Sequence, residues 1–205
     1  MSHLTTWYDT ELPNEMIDLM IKDLQKFDSE MKDSLCLGDD KIDPVRNSQN
    51  TWITTSHWIG GFIWHYVQRT NRENFLYDLT CIDAESLQYT QYGAGQYYDW
   101  HIDAGINSTY KPELIPAQTI NTGQDFVRLR GEYVRKLSFT IQLSEPDDYT
   151  GGEIQFMNNS RKLYTAPKKR GTIIFFDSRT PHRVRKVKSG IRKSIVGWVV
   201  GPRWK

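Results

Sequence analysis

The chain has only two cysteines, Cys36 and Cys81, among its 205 residues. That is too few for a disulfide scaffold or a thiolate zinc site, and it suits a reducing compartment, so a cytoplasmic location is expected. No run of about eighteen apolar residues occurs, which excludes a membrane-spanning helix. Met1 to Pro13 is polar, with neither a basic start nor an apolar stretch, so no signal peptide is expected. Internal repeats and low-complexity tracts are absent. What is plentiful is aromatic: 7 Trp, 11 Tyr and 8 Phe within a chain that is 38% apolar. That composition can fill a sizeable core and argues against disorder. The length fits one domain, expected to run from 1 to 205.

The formal net charge is +1, but it is unevenly spread. Residues 1–103 carry 7 Lys/Arg against 17 Asp/Glu, a net −10, and the remainder carries 19 against 8, a net +11. A basic second half can attract an anionic substrate or nucleic acid. The simpler reading is that the halves pack together and their charges interleave, since each alone is short for a rich core.

The pattern of apolar residues divides the chain. Ile17, Met20, Ile21 and Leu24 recur at helical spacing behind Pro13, predicting a helix from Asn14 to about Phe27. Residues 38–50 are polar and predict a loop. Trp58, Ile59, Phe62, Ile63 and Tyr66 predict a second helix over 56–70, weakened by Gly60-Gly61. From residue 85 onward, short β-branched and aromatic segments alternate with turn residues. Strands are expected near 85–91, 96–103, 137–144, 153–157, 162–165, 172–177, 183–188 and 191–200. Many short strands suggest a sandwich or barrel. The chain thus reads as mainly β with flanking helices: a helical support over 1–84 and a β core over 85–205, with an insertion at 104–136 that is long enough to be functional.

Three segments carry chemistry. In Tyr97-Tyr98-Asp99-Trp100-His101-Ile102-Asp103, strand alternation turns His101 and Asp103 the same way, roughly 6–7 Å apart along the backbone. An imidazole and a carboxylate so placed can converge on one metal ion, although an H-x-D pair alone is common. The second segment, Gly171 to His182, is an apolar strand that ends in a polar turn and places His182 at a strand end. Two His and a carboxylate make the facial triad of non-haem Fe(II) oxygenases, and zinc hydrolases use the same types. In the third, Arg192 follows ten residues later, with Ser194, Val196 and Trp198 on the same strand face. A buried guanidinium needs an anionic partner, and its fork suits both oxygens of a carboxylate. A dicarboxylic co-substrate that chelates a metal at one end would bring its other carboxylate there.

These stretches resemble the 2-oxoglutarate- and Fe(II)-dependent dioxygenases, specifically the prolyl 4-hydroxylase-like group that includes PKHD-type hydroxylases. The resemblance rests on Leu87 to Asp103, Leu137 to Ser144, Tyr149 to Glu153, Gly171 to Ser178, His182-Arg183-Val184, Gly190 to Ser194 and Gly197-Trp198. It implies a double-stranded β-helix, or jelly-roll, core packed against N-terminal α-helices. It further implies that His101, Asp103 and His182 ligate Fe(II), and that Arg192 binds the distal carboxylate of 2-oxoglutarate with Ser194 beside it. Tyr92, Thr140 and Gln142 then line the co-substrate pocket. Gln142, on the Ser138–Thr140 face, stands where many relatives have Tyr or Thr. Dioxygen is the second co-substrate, and the resemblance also raises ascorbate as a reductant. The implied activity is hydroxylation of an unactivated C–H bond with release of succinate and CO₂, on a prolyl residue of a peptide or protein by analogy with procollagen-proline 4-dioxygenases.

Arg46, Trp52 and Arg130 are expected to touch substrate, and the 104–136 insertion is expected to form a lid. His3, His57 and His65 lack partners at useful spacing. Two other readings compete. One is an oxygenase acting on nucleic acid or a free small molecule; the basic run Arg183, Arg185, Lys186 and Lys188 would serve nucleic acid, yet it reads mostly as a solvated edge. The other is a non-catalytic jelly-roll binding module, against which the intact His101, Asp103, His182 and Arg192 stand. A monomer or homodimer without membrane attachment is expected.

Overall fold

Alternation along the strands decides what each face of the molecule meets, and the computed structural model shows it over residues 5–8, 12–34, 45–103 and 133–204. In chain order the elements are β1 (Thr5–Tyr8), α1 (Asn14–Gln25), β2 (Lys32–Asp33), β3 (Arg46–Asn47), β4 (Gln49–Thr54), α2 (Trp58–Thr70) and β5 (Cys81–Ile82). There follow β6 (Ser86–Tyr92), β7 (Tyr97–His101), β8 (Tyr133–Gln142), β9 (Tyr149–Gly151), β10 (Ile154–Met157) and β11 (Leu163–Thr165). The last are β12 (Ile173–Asp177), β13 (His182–Val184), β14 (Val187–Gly190) and β15 (Arg192–Pro202). The larger sheet runs β1-β12-β8-β15-β6-β4-β2, with β5 also beside β15. A five-stranded sheet runs β11-β10-β13-β7-β3, and β14 pairs with β9. Every pairing is antiparallel.

The larger sheet has two unlike faces. Leu87, Tyr89, Leu137, Phe139, Ile141, Ile173, Phe175, Ile195 and Val199 bury one face against Ile17, Met20 and Leu24 of α1 and Ile59, Ile63 and Val67 of α2. Each such fully buried side chain contributes about 1.5–3 kcal/mol. Gly60 is required here, since a Cβ on it would lie 2.1 Å from the Thr55 carbonyl oxygen where α2 leaves β4. The intervening residues point the other way. There Tyr92, Ile174 and Phe176 pack with Ile154, Phe156 and Val184 of the smaller sheet, but their neighbours on the same face are polar: Gln88, Thr90, Ser138, Thr140, Gln142, Arg192 and Ser194, all buried. A buried polar face between two sheets is a place for chemistry, because such groups are costly unless something satisfies them.

The mainly-β architecture with N-terminal helices agrees with the reading from sequence, and several boundaries differ. The expected loop at 38–50 contains β3 and the start of β4, recruited by pairing with β7 and β6. The first 84 residues supply strands to the sheets as well as the two helices, because β1, β4 and β5 pair with β12, β6 and β15. The 183–188 strand is interrupted and becomes β13 and β14, which belong to different sheets. β8 begins at Tyr133, so the end of the expected 104–136 insertion is strand, paired with β15; residues 104–132, Arg130 among them, lie outside the described residues.

Candidate metal centre and co-substrate pocket

β7 and β13 are neighbours, and their register puts His101 opposite His182. Asp103 follows two residues after His101, and its backbone N–H donates to the Ser178 carbonyl at 2.9 Å. The result is a cluster: His101 Nε2 lies 3.6 Å from one Asp103 oxygen and His182 Nε2 lies 3.6 Å from the other. Their three candidate ligand atoms lie within 4.8 Å of one another, a grouping able to hold a metal ion.

Each ring is fixed from behind. His101 Nδ1 donates to the Asp99 carbonyl at 2.8 Å, and His182 Nδ1 donates to the Thr180 carbonyl at 2.9 Å. A carbonyl only accepts, so each Nδ1 carries the proton and each Nε2 presents its lone pair to the centre. Tyr98 stacks on His101 with centroids 3.5 Å apart, and Phe176 packs against His182 at 4.5 Å. Burial, reinforced by the His182 ring, depresses His101 to about 4, so its ring is neutral at pH 7 and able to ligate. Burial pushes the Asp103 carboxyl upward, but His182, His101, the Ser138 hydroxyl and Arg135 together outweigh it and hold the group below the ordinary carboxylate range. Behind Asp103, the Ser138 and Ser178 hydroxyls share a hydrogen bond of 2.9 Å.

Further along the polar face lies Arg192, only 1% exposed. Its Nη1 donates to Ser194 Oγ at 3.2 Å and its Nη2 to Gln142 Oε1 at 3.0 Å, both neutral acceptors. Its buried Nε–H has no partner. Among the described residues no carboxylate lies within ion-pair distance of it. The Tyr92 ring is 5.5 Å from the guanidinium carbon, and Tyr149 lies near enough to Arg192 for a hydrogen bond. The buried Thr140 hydroxyl, on the same face, is also without a partner. A buried cation with unused donors is suited to an anionic guest.

Residues expected from sequence thus meet in two groups: His101, Asp103 and His182 in one, and Arg192, Ser194, Gln142 and Tyr92 in the other, with Thr140 on the same sheet face. Gln142 holds the arginine, accepting from its Nη2. Arg46 reaches the edge of the first group: its guanidinium lies 4.9 Å from the Tyr98 ring and donates to Gln88 and Ser48. Trp52 is 47% exposed and packs at 6.0 Å on Trp198, whose ring also lies 4.1 Å from the Arg135 guanidinium. Residues not singled out from sequence are Ser178 and Arg135, together with the carbonyls of Asp99 and Thr180. Strict alternation from Ser138 along β8 points to Lys136 and not to Arg135, which sits where the β8–β15 register shifts, and no residue type signals a useful backbone carbonyl.

Comparison with known proteins agrees with this geometry. Residues 87–200, more than half the chain, match the family model of the 2OG-Fe(II) oxygenase superfamily. A PKHD-type hydroxylase of Rippkaea orientalis is 31% identical over 56% of this chain and 42% of its own length. One from Synechococcus elongatus is 27% identical over 74% of this chain and 60% of its own. The chain therefore spans less than two thirds of these relatives. Among solved structures, a prolyl-4-hydroxylase from Pseudomonas putida superposes with a TM-score of 0.69 at 15% identity, covering 98% of this chain and 94% of that one. A viral collagen prolyl hydroxylase from Paramecium bursaria Chlorella virus 1, solved as its 2-oxoglutarate complex, gives 0.63 at 20% identity, covering 97% and 96%. The jelly-roll architecture is shared with both. The family match across 87–200 settles the affiliation: the chain belongs to the 2OG-Fe(II) oxygenase superfamily, whose enzymes use Fe(II), 2-oxoglutarate and dioxygen.

Proposed function

We propose that this chain hydroxylates an unactivated C–H bond of a prolyl residue in a peptide or protein, with His101, Asp103 and His182 as the iron ligands and Arg192 as the anchor of 2-oxoglutarate. The observation that carries the reading is the pairing, on one buried polar face, of two Nε2 atoms converging on a carboxylate with a guanidinium that has no carboxylate partner among the described residues. The donor set fits the metal: two imidazoles and one acid leave positions open on an octahedral ion. The pocket fits the co-substrate, because the unpartnered Nε–H of Arg192 and hydroxyl of Thr140 are groups that a carboxylate or its surroundings can satisfy.

When bound, Fe(II) with 2-oxoglutarate and dioxygen supplies the oxidising power, with succinate and CO₂ as products. The protein's own residues do the rest. The Asp99 and Thr180 carbonyls hold the two rings in the tautomer that ligates. Ser138 and the Ser178 carbonyl hold the Asp103 side chain and backbone. Gln142 and Ser194 fix the plane of the Arg192 guanidinium. Phe156, Phe176 and Ile174 form an apolar cluster beside this polar face, and that low-dielectric surrounding strengthens each electrostatic contact.

The substrate class draws on the neighbours: the Pseudomonas protein and the viral collagen hydroxylase are named for prolyl hydroxylation, and a Trichoplax adhaerens prolyl hydroxylase (TM-score 0.68, 15% identity, covering 95% of this chain and 82% of that one) was solved with a peptide fragment. Arg46 and Trp52 would meet such a peptide at the mouth. The basic run gives less support to nucleic acid, since Arg183 donates to Gln155 and covers Trp100 while Arg185 lies 3.6 Å from Glu153.

The test is succinate release with Fe(II), 2-oxoglutarate and ascorbate across a panel of prolyl peptides, with mass spectrometry of the peptide. Succinate should appear together with a peptide one oxygen heavier, and His182→Ala should give neither. Turnover confined to a nucleic acid or a free small molecule would overturn the substrate assignment. Absence of succinate with every candidate would favour a binding module.

A further inference from the structure

Two of the three candidate iron ligands are oriented by one short turn. Between β12 and β13, the Ser178 carbonyl receives the Asp103 N–H and the Thr180 carbonyl receives His182 Nδ1–H, at 2.9 Å each. His101 is held separately by Asp99 on β7. A displacement of the 178–181 turn would therefore move Asp103 and His182 together and leave His101 behind.

The turn is fastened by Asp177, whose side chain is fully buried. One carboxylate oxygen accepts from the Arg179 backbone N–H at 2.8 Å and from its Nε at 2.9 Å. The other accepts from Arg179 Nη2 at 2.6 Å and from the Tyr77 hydroxyl at 2.5 Å. The Asp177 carbonyl accepts from Thr180 N–H at 2.8 Å, closing the turn. Tyr77 lies between α2 and β5, a hundred residues away in sequence. Trp204 covers the assembly: its ring lies 4.0 Å from the Arg179 guanidinium, 4.8 Å edge-on to Tyr77 and 4.5 Å from the Lys136 ammonium. The Lys136 carbonyl in turn receives the Ser178 N–H at 3.1 Å.

We infer that Tyr77, Asp177, Arg179 and Trp204 are positioning residues that set metal affinity by holding the 178–181 turn. None of them belongs to the triad or to the Arg192 pocket; they act through two backbone carbonyls. The inference rests on the proposed metal site and adds to it a control point on the outside of the β12–β13 junction. Groups behind the ligands of a metal site typically change affinity 10–100-fold when removed. Asp177→Asn, which weakens the Arg179 contacts, should loosen metal by about 10-fold. Tyr77→Phe, which deletes one hydroxyl, and Trp204→Ala, at a half-exposed position, should each loosen it several-fold.

The experiment is titration of the full chain with Co(II) alone, following the visible absorption of the bound ion and the dissociation constant by calorimetry. Thermal melts of the metal-free proteins and 2-oxoglutarate titrations at saturating Co(II) complete it. Weaker Co(II) binding with an altered visible band, and unchanged 2-oxoglutarate affinity once metal is saturating, is the expected result. Variants that melt earlier yet bind Co(II) with the wild-type constant and spectrum would show the network to be scaffold only and would overturn the inference. Tyr77→Phe carries the test if Asp177→Asn does not fold. A wild-type chain that binds no Co(II) would bring down the metal reading itself, and this inference with it.

Discussion

Arg192 allows the sharpest quantitative prediction, because its surroundings separate binding from folding. Arg192→Met keeps an unbranched apolar stem and removes the guanidinium. Breaking a buried charged pair costs about 3–5 kcal/mol, and about 1.4 kcal/mol is a factor of ten. The 2-oxoglutarate dissociation constant should therefore rise by about two to three and a half orders of magnitude. Gln142→Leu leaves the charge but removes the acceptor of Nη2. A hydrogen bond to a charged group contributes about 1.5–3 kcal/mol, and only the part that orients the guanidinium reaches the guest. A weakening of about 10- to 100-fold follows.

Folding without ligand should respond differently. The free guanidinium faces only neutral acceptors and one unused donor among the described residues. Losing the two hydrogen bonds is offset by no longer burying an unpaired cation. The ligand-free melting temperature of Arg192→Met should stay within a few degrees of wild type, while the upward shift that 2-oxoglutarate gives the wild type should vanish. Calorimetric titration of Mn(II)-loaded protein and melts with and without 2-oxoglutarate measure both. For a chain of this size 1 kcal/mol is about 2–4 °C. A ligand-free drop of about 10 °C or more would mean that a protein anion holds Arg192, and 2-oxoglutarate binding within threefold of wild type would mean that the pocket lies elsewhere; either result refutes the reasoning.

Three other outcomes follow from the same coordinates. Gly152 has φ +65°, and a Cβ there would lie 2.9 Å from Val187 Cγ2 and 3.2 Å from Arg192 Cδ; a left-handed alanine costs about 1–2 kcal/mol, so Gly152→Ala should lower the melting temperature and raise the KM for 2-oxoglutarate together. Gly197→Ala would put a Cβ 2.4 Å from Phe139 Cζ in the helix-facing core; overpacking of about 1–3 kcal/mol should appear in a urea melt, with Co(II) affinity unchanged. The Asp177 carboxyl is held below its ordinary value of 3.8: burial opposes this, but Arg179 and Tyr77 outweigh it. The stability it contributes is present above the unfolded value and is lost as pH falls through the lower folded one, so urea melts between pH 3 and 6 should show a shallower acid limb for Asp177→Asn.

The parts of this molecule legible in its sequence are those where side-chain identity and spacing carry the signal. Helix α1 is visible from Ile17, Met20 and Leu24 because helical repeat and burial coincide. The triad and Arg192 are visible because each follows or opens an apolar strand at a spacing that strand geometry can bring together. Strands β1, β3 and β4 are hidden because their identity is conferred by partners: in Gln49–Thr54 only Trp52 and Ile53 are apolar, adjacent rather than alternating, and the segment is extended because it pairs with β6. The role of Gln142 could be located on a face but not assigned, since a glutamine can hold a guest, a neighbour or water. The carbonyls of Asp99, Ser178 and Thr180 were illegible in principle, because every residue has one.

The same contrast explains why the larger sheet is built with two unlike faces. Its apolar face binds α1 and α2. Its other face buries Gln88, Thr90, Ser138, Thr140, Gln142, Arg192 and Ser194, and leaving a buried polar atom unsatisfied costs about 1–3 kcal/mol. Most of these groups satisfy one another: Gln88 accepts from Arg46 and Thr90, Ser138 is linked to Ser178, and Gln142 and Ser194 accept from Arg192. The exceptions on this face are the Thr140 hydroxyl, Arg192 Nε and Trp198 Nε1. A sheet selected for stability alone would fill these positions with valine and leucine, as its opposite face does. Other buried atoms without a partner lie elsewhere, such as the Thr70 hydroxyl on α2 and the Thr180 hydroxyl in the turn before β13, but Thr140 and Arg192 Nε share one buried face with the candidate metal ligands, and that face is where a guest would satisfy them.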